Sequence, residues 1–273
     1  LGVLVGALQG AIIAYLRVPA FIVTLGGLMA FRGILLGVTN GRTISPVNES
    51  YRLVGQEYLA KIPGLILALV IAALLLVLGL ARLRRKEEPG NGGGFLNIAK
   101  IFLFPALVVA FTLVMNGYKG IPIPVVVMLG TIAIFSFIAN RSVFGRSIYA
   151  IGGNKEAAIY SGIRVNPIIF GTFVLMGVLS AVGGTILTAR LNAGTISAGQ
   201  NLELDVIAAA VIGGASLAGG IGTVPGAILG ALVMASLNNG LSIMNVDAFW
   251  QYVLKGIILV AAVYIDVINS DKK

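Results

Sequence analysis

Residues Pro122–Ala139 read PIPVVVMLGTIAIFSFIA, a run of 18 residues without a charged side chain. Such a run predicts a transmembrane helix, because a helix that crosses the hydrocarbon core of a bilayer needs about 20 apolar residues. The rest of the chain has the same character: 58% of its 273 residues are hydrophobic, 11% are charged, and the mean hydropathy is +1.01. Soluble domains carry about 25% charged residues. The sequence therefore predicts an all-α polytopic membrane protein.

Eight further apolar stretches, bounded by charged residues or prolines, extend the prediction to a bundle of about nine spans. The nine are Leu1–Leu16, Pro19–Thr39, Pro63–Ala81, Ile98–Asn116, Pro122–Ala139, Pro167–Ala189, Leu204–Ala218, Pro225–Asn239 and Phe249–Ile268. If every stretch crosses, the C-terminal Ser270–Lys273 shares one side with the loops at 17–18, 82–97, 140–166 and 217–224. The opposite side holds the loops at 40–62, 117–121, 190–203 and 241–248.

The distribution of basic residues orients this bundle. Twelve Lys and Arg residues lie on the side of the C-terminus and five on the other, so the positive-inside rule predicts a cytoplasmic C-terminus. The net charge of +9 is accounted for by these loops, and no basic run is interleaved with aromatic residues as in a nucleic-acid groove. The inner stretch Arg82–Asn97, RLRRKEEPGNGGGFLN, predicts a flexible cytoplasmic connection.

The composition excludes several kinds of chemistry. The chain has no cysteine and no histidine, which excludes disulfides, thiolate nucleophiles, Ser-His-Asp triads and the usual zinc or haem ligands. No Gly-Lys pair occurs, so the phosphate-binding loop of ATPases is absent. We therefore expect neither an enzyme nor a cofactor-binding protein. If the chain is a transporter, its energy comes from an ion gradient or from a partner.

Charged residues inside the spans are few. Arg32 and Lys255 lie well within spans, where each is either functional or snorkels towards the outer face. Asp205, Asp247 and Asp266 lie near span ends, and capping of a helix explains Asp205 well. This pattern disfavours proton coupling. A sodium-coupled secondary transporter remains an alternative, because backbone carbonyls and hydroxyls can bind sodium.

Glycines give a second set of candidate functional residues, after the charged residues within the spans. Leu25-Gly26-Gly27 followed by Gly33-Ile34 has the same spacing as Ile212-Gly213-Gly214 followed by Gly220-Ile221. This similarity is either chance or an internal repeat, in which glycine-interrupted segments break helices beside a substrate path. We take Arg32, Gly213, Gly214 and Gly220 as candidates for the pore or its gate.

The inner loop at 140–166 is too long for a simple turn and contains a helix signal. Asn154 can cap a helix, Glu156 then lies in its first turn, and Gly162 ends it. A short helix of this kind, with small residues such as Ala157 and Ala158, fits a cleft on another protein. The alternative is an amphipathic helix that lies in the membrane interface.

This loop resembles the permease subunits of ABC importers. Glu156-Ala157-Ala158 followed by Gly162 is similar to the core of their EAA motif. The resemblance to the monosaccharide branch of that family extends over nearly the whole chain. It is carried by Phe144-Gly145-Arg146, Ala150–Asn154, Ser161-Gly162-Ile163, the glycine-rich stretch 213–226 and the segment Pro19–Gly33. The run Arg17–Asn48 is most similar to xylose-transport permeases, with ribose-type permeases close.

The resemblance implies a single permease domain over residues 1–273, with 140–166 as its cytoplasmic coupling loop. Two permease copies would form the pore in a bacterial inner membrane, with ATPase subunits docked on the loop and a periplasmic sugar-binding protein above. The residues that it assigns to ATPase coupling are Gly152, Asn154, Glu156, Ala157, Ala158 and Gly162. One departure is that Pro167 begins the next span five residues after Gly162, whereas the EAA pattern of other importers continues further.

The resemblance also bears on the start of the chain. The family has about ten spans, one more than the nine found here. Leu1 is not a methionine, and no basic region precedes the first apolar stretch. We therefore expect that an upstream segment with one further span is missing from this sequence.

Overall fold

The computed structural model describes residues 1–85 and 94–270. Within these residues the regular secondary structure is almost entirely helical, which confirms the predicted all-α class. Its twelve helices are α1 (Gly2–Tyr15), α2 (Ala20–Thr39), α3 (Glu49–Gln56), α4 (Lys61–Arg85), α5 (Gly94–Asn116), α6 (Ile123–Arg141), α7 (Val143–Gly153), α8 (Lys155–Tyr160), α9 (Val165–Leu191), α10 (Leu202–Ile212), α11 (Val224–Ile243) and α12 (Ala248–Ser270). Two short strands, β1 (Tyr58–Leu59) and β2 (Ile121–Pro122), pair antiparallel.

The chain divides into two compact units. The first unit comprises Leu1–Val47 and Leu129–Lys273, and so contains α1, α2, most of α6 and α7 to α12. The second unit is Asn48–Met128, with α3, α4, α5 and the two strands. The candidate functional residues from 149 onwards all belong to the first unit.

Eight of the nine predicted spans are helices whose ends lie within about four residues of the predicted ones, and the ninth, Leu204–Ala218, is helical only in its first part. Among the described residues, α2, α6, α9, α11 and α12 are long and apolar enough to cross a membrane. Helices α4 and α5 have 25 and 23 residues. The structure differs from the prediction at α10, which has only 11 residues, a length of about 16 Å against the ~30 Å of a bilayer core.

The early end of α10 has a local cause. Gly213 follows the last helical residue, and Gly214 has φ +86°, a left-handed conformation that glycine adopts without the clash of a Cβ atom. The predicted span Leu204–Ala218 therefore becomes a short helix and a loop.

Two predictions fall partly outside the described residues. Of the predicted connection Arg82–Asn97, residues 82–85 belong to α4 and residues 94–97 to α5, and 86–93 lie outside the described residues. The C-terminal Asp271–Lys273 also lies outside them.

Glycines on α1 allow it to pack closely against α9. A Cβ atom on Gly6 would lie 3.0 Å from the Cα of Val174, and one on Gly10 would lie 2.9 Å from the Cβ of Phe173. Backbone approach over small residues is a common way for membrane helices to associate. Gly6 and Gly10 are four residues apart and so lie on one face of α1, which packs against α9.

Loops predicted to lie on the same outer side of the membrane meet in the structure. Ile44 and Gly194 exchange backbone hydrogen bonds of 3.0 and 2.9 Å, and the Ser45 hydroxyl donates to the Asn192 carbonyl at 3.1 Å. These contacts join the predicted outer loops at 40–62 and 190–203 within the first unit.

The glycine repeat of the sequence is not a structural repeat. Its first copy, Leu25 to Ile34, lies inside the continuous helix α2. Its second copy, Ile212 to Ile221, begins at the last residue of α10 and continues through a non-helical loop. Equal spacing of small residues is therefore compatible with two different backbone conformations.

Candidate coupling site

The predicted inner loop folds as two capped helices. The Ser142 hydroxyl accepts a hydrogen bond from the Gly145 N–H at 2.9 Å and so caps α7. Asn154 ends α7 in an extended conformation, and its Oδ1 accepts from the Ala157 N–H at 2.9 Å to cap α8. Gly162, with φ +81°, follows the end of α8. The predicted cap and stop residues are confirmed, whereas α7 was not expected as a helix.

One face of helix α8 packs against its neighbours, and the other face is exposed. Ala158 is buried, while the side chains of Glu156 and Ala157 are exposed. Two large residues, Ile159 and Tyr160, are exposed as well, Tyr160 by 90%. Exposed apolar and aromatic side chains next to a carboxylate are suited to contact with another protein.

The end of α7 touches the predicted gating glycines directly. We call residues 213–222, between α10 and α11, the glycine loop. A Cβ atom on Gly152 would lie 2.5 Å from the Gly220 nitrogen, and one on Gly219 would lie 2.6 Å from the Gly152 oxygen. Real Cβ atoms do not approach other atoms so closely, so this junction requires glycine on both sides. The structure thus brings together two sets of residues that the sequence suggested separately.

The three predicted glycines of the gate have different surroundings. Gly220, with φ +74°, lies against Gly153 of α7. Gly213 lies against the backbone of Gly226, at the start of α11. Gly214 needs its left-handed conformation but has open space where a Cβ atom would be. Arg32 does not join them: it lies on α2 with an exposed side chain, and no hydrogen bond or ion pair connects it to the described residues.

Two side chains attach the glycine loop to helices on either side. The Tyr149 hydroxyl, on α7, donates to the Gly222 carbonyl at 2.8 Å. Asp266, on α12, accepts hydrogen bonds through Oδ2 from the Leu217 N–H at 2.9 Å and from the Ser216 hydroxyl at 3.2 Å. All three segments are predicted to lie on the cytoplasmic side, and their contacts place them at the same end of the first unit.

A second polar cluster lies at the other end of α10. The Lys255 ammonium donates to Asp205 Oδ2 at 2.9 Å, and Asn238 Nδ2 donates to the same oxygen at 3.3 Å. A cavity of about 80 Å³ lies beside the pair, and Tyr252 is among its lining residues. An intramembrane charge that finds an opposite charge avoids much of its desolvation cost. Lys255 is thus paired and does not need to snorkel.

The sequence carries weak signals for these contacts. Lys255 stands out as a cation in an apolar helix, but its partner is 50 residues away on another helix. Asp266 resembles an ordinary interfacial carboxylate, and neither Tyr149 nor Asn238 has a distinguishing neighbour in the sequence. Among the described residues, no group of three or more Asp, Glu, His or Cys side chains is placed to hold a metal ion.

Long apolar helices joined at one end to a pair of short capped helices are the architecture of a multi-pass membrane protein. The chain belongs to the family described as the permease component of branched-chain amino acid transport systems, whose model matches residues 1–263. As a permease component, the chain is a transport subunit and not an enzyme.

Curated relatives cover nearly the whole chain. The xylose transport system permease protein of Haemophilus influenzae is 46% identical over all of this chain and 73% of its own length. The protein of the same name in Escherichia coli is 46% identical over 97% of this chain and 68% of its own length. The ribose import permease protein of Haemophilus influenzae is 33% identical over all of this chain and 68% of its own length. No solved structure matches the chain.

Proposed function

We propose that the chain is the transmembrane pore subunit of an ATP-driven importer of a sugar, xylose or a similar pentose. The family description names branched-chain amino acids, but relatives that match almost the whole chain at 46% identity are named for xylose. A ribose permease matches equally far at 33% identity. These identities favour a pentose over an amino acid and xylose over ribose.

The observation that carries the mechanism is the backbone junction between Gly152 and Gly220. In the proposed mechanism an ATPase subunit docks on loop 140–166, against the exposed Glu156 and Ala157. Asn154, Ala158 and Gly162 keep α8 in place by capping it, packing it and ending it. Because no side chain separates α7 from the glycine loop, displacement of the helix pair displaces the loop as well.

The rest of the assembly follows from the same proposal. Residues 1–273 form one permease domain, which pairs with a second copy and works with a periplasmic sugar-binding protein in the bacterial inner membrane. The C-terminus then lies in the cytoplasm with loop 140–166. Helices α2 and α6 bury no residue among those described and carry apolar side chains, which suits contact with lipid. Arg32, Gly213, Gly214 and Gly220 remain candidates for the pore or its gate.

The first test is to isolate the full-length protein from its native membrane in mild detergent. We expect an ATPase subunit in stoichiometric amount, and ATP hydrolysis that rises when a xylose-loaded binding protein is added. A protein that purifies alone and imports sugar into liposomes on a sodium gradient, without ATP, would instead be a secondary transporter.

Charge reversal at Glu156 tests the docking surface. E156K is expected to lower ATP-driven xylose uptake by about tenfold or more. The reason is that a lysine at this position reverses the charge of the surface on which the ATPase subunit docks, and so removes its electrostatic complementarity to the partner. Uptake and ATP hydrolysis are measured together in proteoliposomes that contain the full complex.

Glu49 provides a matched control for this variant. It also lies in the first turn of a helix capped by an asparagine, since Asn48 Oδ1 accepts from the Ser50 N–H at 3.1 Å. Its contact with Arg52, at 3.6 Å, is exposed and contributes little. E49K therefore has the same effect on the helix dipole as E156K but lies on the proposed outer side. Equal uptake by both variants and the wild type would contradict docking at Glu156.

A further inference from the structure

We infer that the glycine loop transmits coupling-loop motion to α12, with Tyr149 and Asp266 as the positioning residues that hold it between α7 and α12. This inference rests on the proposed function and extends it beyond the docking surface. It identifies the particular hydrogen bonds through which motion of α8 reaches the membrane-spanning helices. The docking residues alone do not define such a path.

The first connection joins α7 to the end of the loop. The Tyr149 hydroxyl donates to the Gly222 carbonyl at 2.8 Å, and the junction of Gly152 with Gly220 lies one helical turn further along α7. Close backbone contact resists compression but not separation. The Tyr149 hydrogen bond supplies the resistance to separation, because it opposes withdrawal of α7 from the loop.

The second connection joins the loop to α12. Asp266 Oδ2 accepts from the Leu217 N–H and from the Ser216 hydroxyl, and no basic side chain pairs with this carboxylate among the described residues. Hydrogen bonds to a charged acceptor are stronger than those between neutral groups. A carboxylate near the end of an apolar helix is thus used to hold the loop backbone.

The loop between these attachments is tied to itself, so it can move as one body. The Ser216 N–H donates to the Ile221 carbonyl at 3.0 Å, and the Gly219 N–H donates to the Ser216 carbonyl at 3.2 Å. The loop also begins directly after α10 and is followed by Thr223, which caps α11 by accepting a 3.1 Å hydrogen bond from the Gly226 N–H. Displacement of α7 therefore acts on α10, α11 and α12 together.

The test measures xylose imported per ATP hydrolysed, in proteoliposomes that contain the full-length permease with its ATPase and binding protein. D266L removes the acceptor, and we expect this ratio to fall about tenfold, while complex assembly and basal ATP hydrolysis persist. D266N keeps one acceptor oxygen and is expected to recover part of the ratio. Y149F, which loses only the hydroxyl, is expected to lower it about threefold.

Tyr264 supplies the control, because it lies on α12 two residues before Asp266 with 65% of its surface exposed. Y264F is expected to keep the wild-type ratio. Wild-type ratios in D266L and Y149F would overturn the inference and leave the proposed function intact. Loss of uptake, hydrolysis and assembly in proportion would also overturn it, because that pattern indicates a structural role. If the wild type imports no xylose on ATP, the proposed function fails and the inference fails with it.

A second measurement follows the loop itself. Residues 1–273 contain no cysteine and Ala218 lies exposed in the glycine loop, so A218C adds the single thiol of this region, and any cysteine outside residues 1–273 is first replaced by serine. We expect its labelling rate to change at least about threefold when ATP and loaded binding protein are added, since a moving loop alters local exposure. With D266L also present, this dependence is expected to disappear. A rate that never responds to ATP would overturn the inference.

Discussion

Replacement of Lys255 by methionine is expected to destabilise the protein by about 3 kcal/mol, the lower end of the cost of leaving a shielded charge without its partner. In the native structure Asp205 is paired with Lys255 at 2.9 Å, and both side chains are largely shielded, with 17% and 24% of their surfaces exposed. K255M keeps the length and apolar stem of the lysine but leaves Asp205 with only the 3.3 Å hydrogen bond from Asn238. The free energy of unfolding is measured by equilibrium unfolding in mixed micelles.

Two further variants distinguish the effect of breaking the ion pair from the effect of losing a positive charge. D205N/K255M removes both charges and is expected to recover most of the lost stability, because a neutral pair has no uncompensated charge. R32M removes the other cation within a span, whose side chain is exposed, and is expected to change stability by less than about 0.5 kcal/mol. Equal destabilisation by K255M and R32M would contradict a role for the ion pair.

The candidate site was predictable where its signals are local. Asn154 before Glu156, with Gly162 after Tyr160, predicts a capped short helix, and each residue has the expected conformation. Such signals depend on neighbours a few residues apart. Two other contacts depend instead on where α7 and α12 lie relative to the glycine loop. They are the contact of Gly152 with Gly220 and the hydrogen bonds of Asp266. No local pattern encodes these relative positions.

The fold shows the same division. Apolar length placed the ends of α2 and α6 within about two residues, because the bilayer requires one continuous apolar run per helix. It failed for α10, since the uncharged and mostly apolar stretch continues through Ala215 to Ala218 although Gly213 and Gly214 end the helix. The strands β1 and β2 have two residues each, too few for an alternating pattern.

Replacement of Gly152 by alanine is expected to lower ATP-driven uptake by about tenfold and to destabilise the protein by about 1–3 kcal/mol, as overpacking does. Gly152 lies within α7, where alanine is a better helix former than glycine by about 1 kcal/mol. A loss must therefore come from contact: the added Cβ atom would lie 2.5 Å from the Gly220 nitrogen and 3.2 Å from its Cα. Both are backbone atoms that cannot rotate away, so α7 and the glycine loop must separate.

Gly153 provides a matched control for this prediction, because it is the next residue of the same helix and a Cβ atom on it would meet nothing within 4 Å. G153A has the same propensity change as G152A but leaves the junction free, and it is expected to keep wild-type uptake and stability. Uptake per ATP hydrolysed and the free energy of unfolding are measured for both variants in parallel. Because the two alanines differ only in what they touch, equal behaviour would show that contact with the glycine loop does not limit coupling. Divergence would assign the effect to the backbone junction, since neither residue has a side chain to lose.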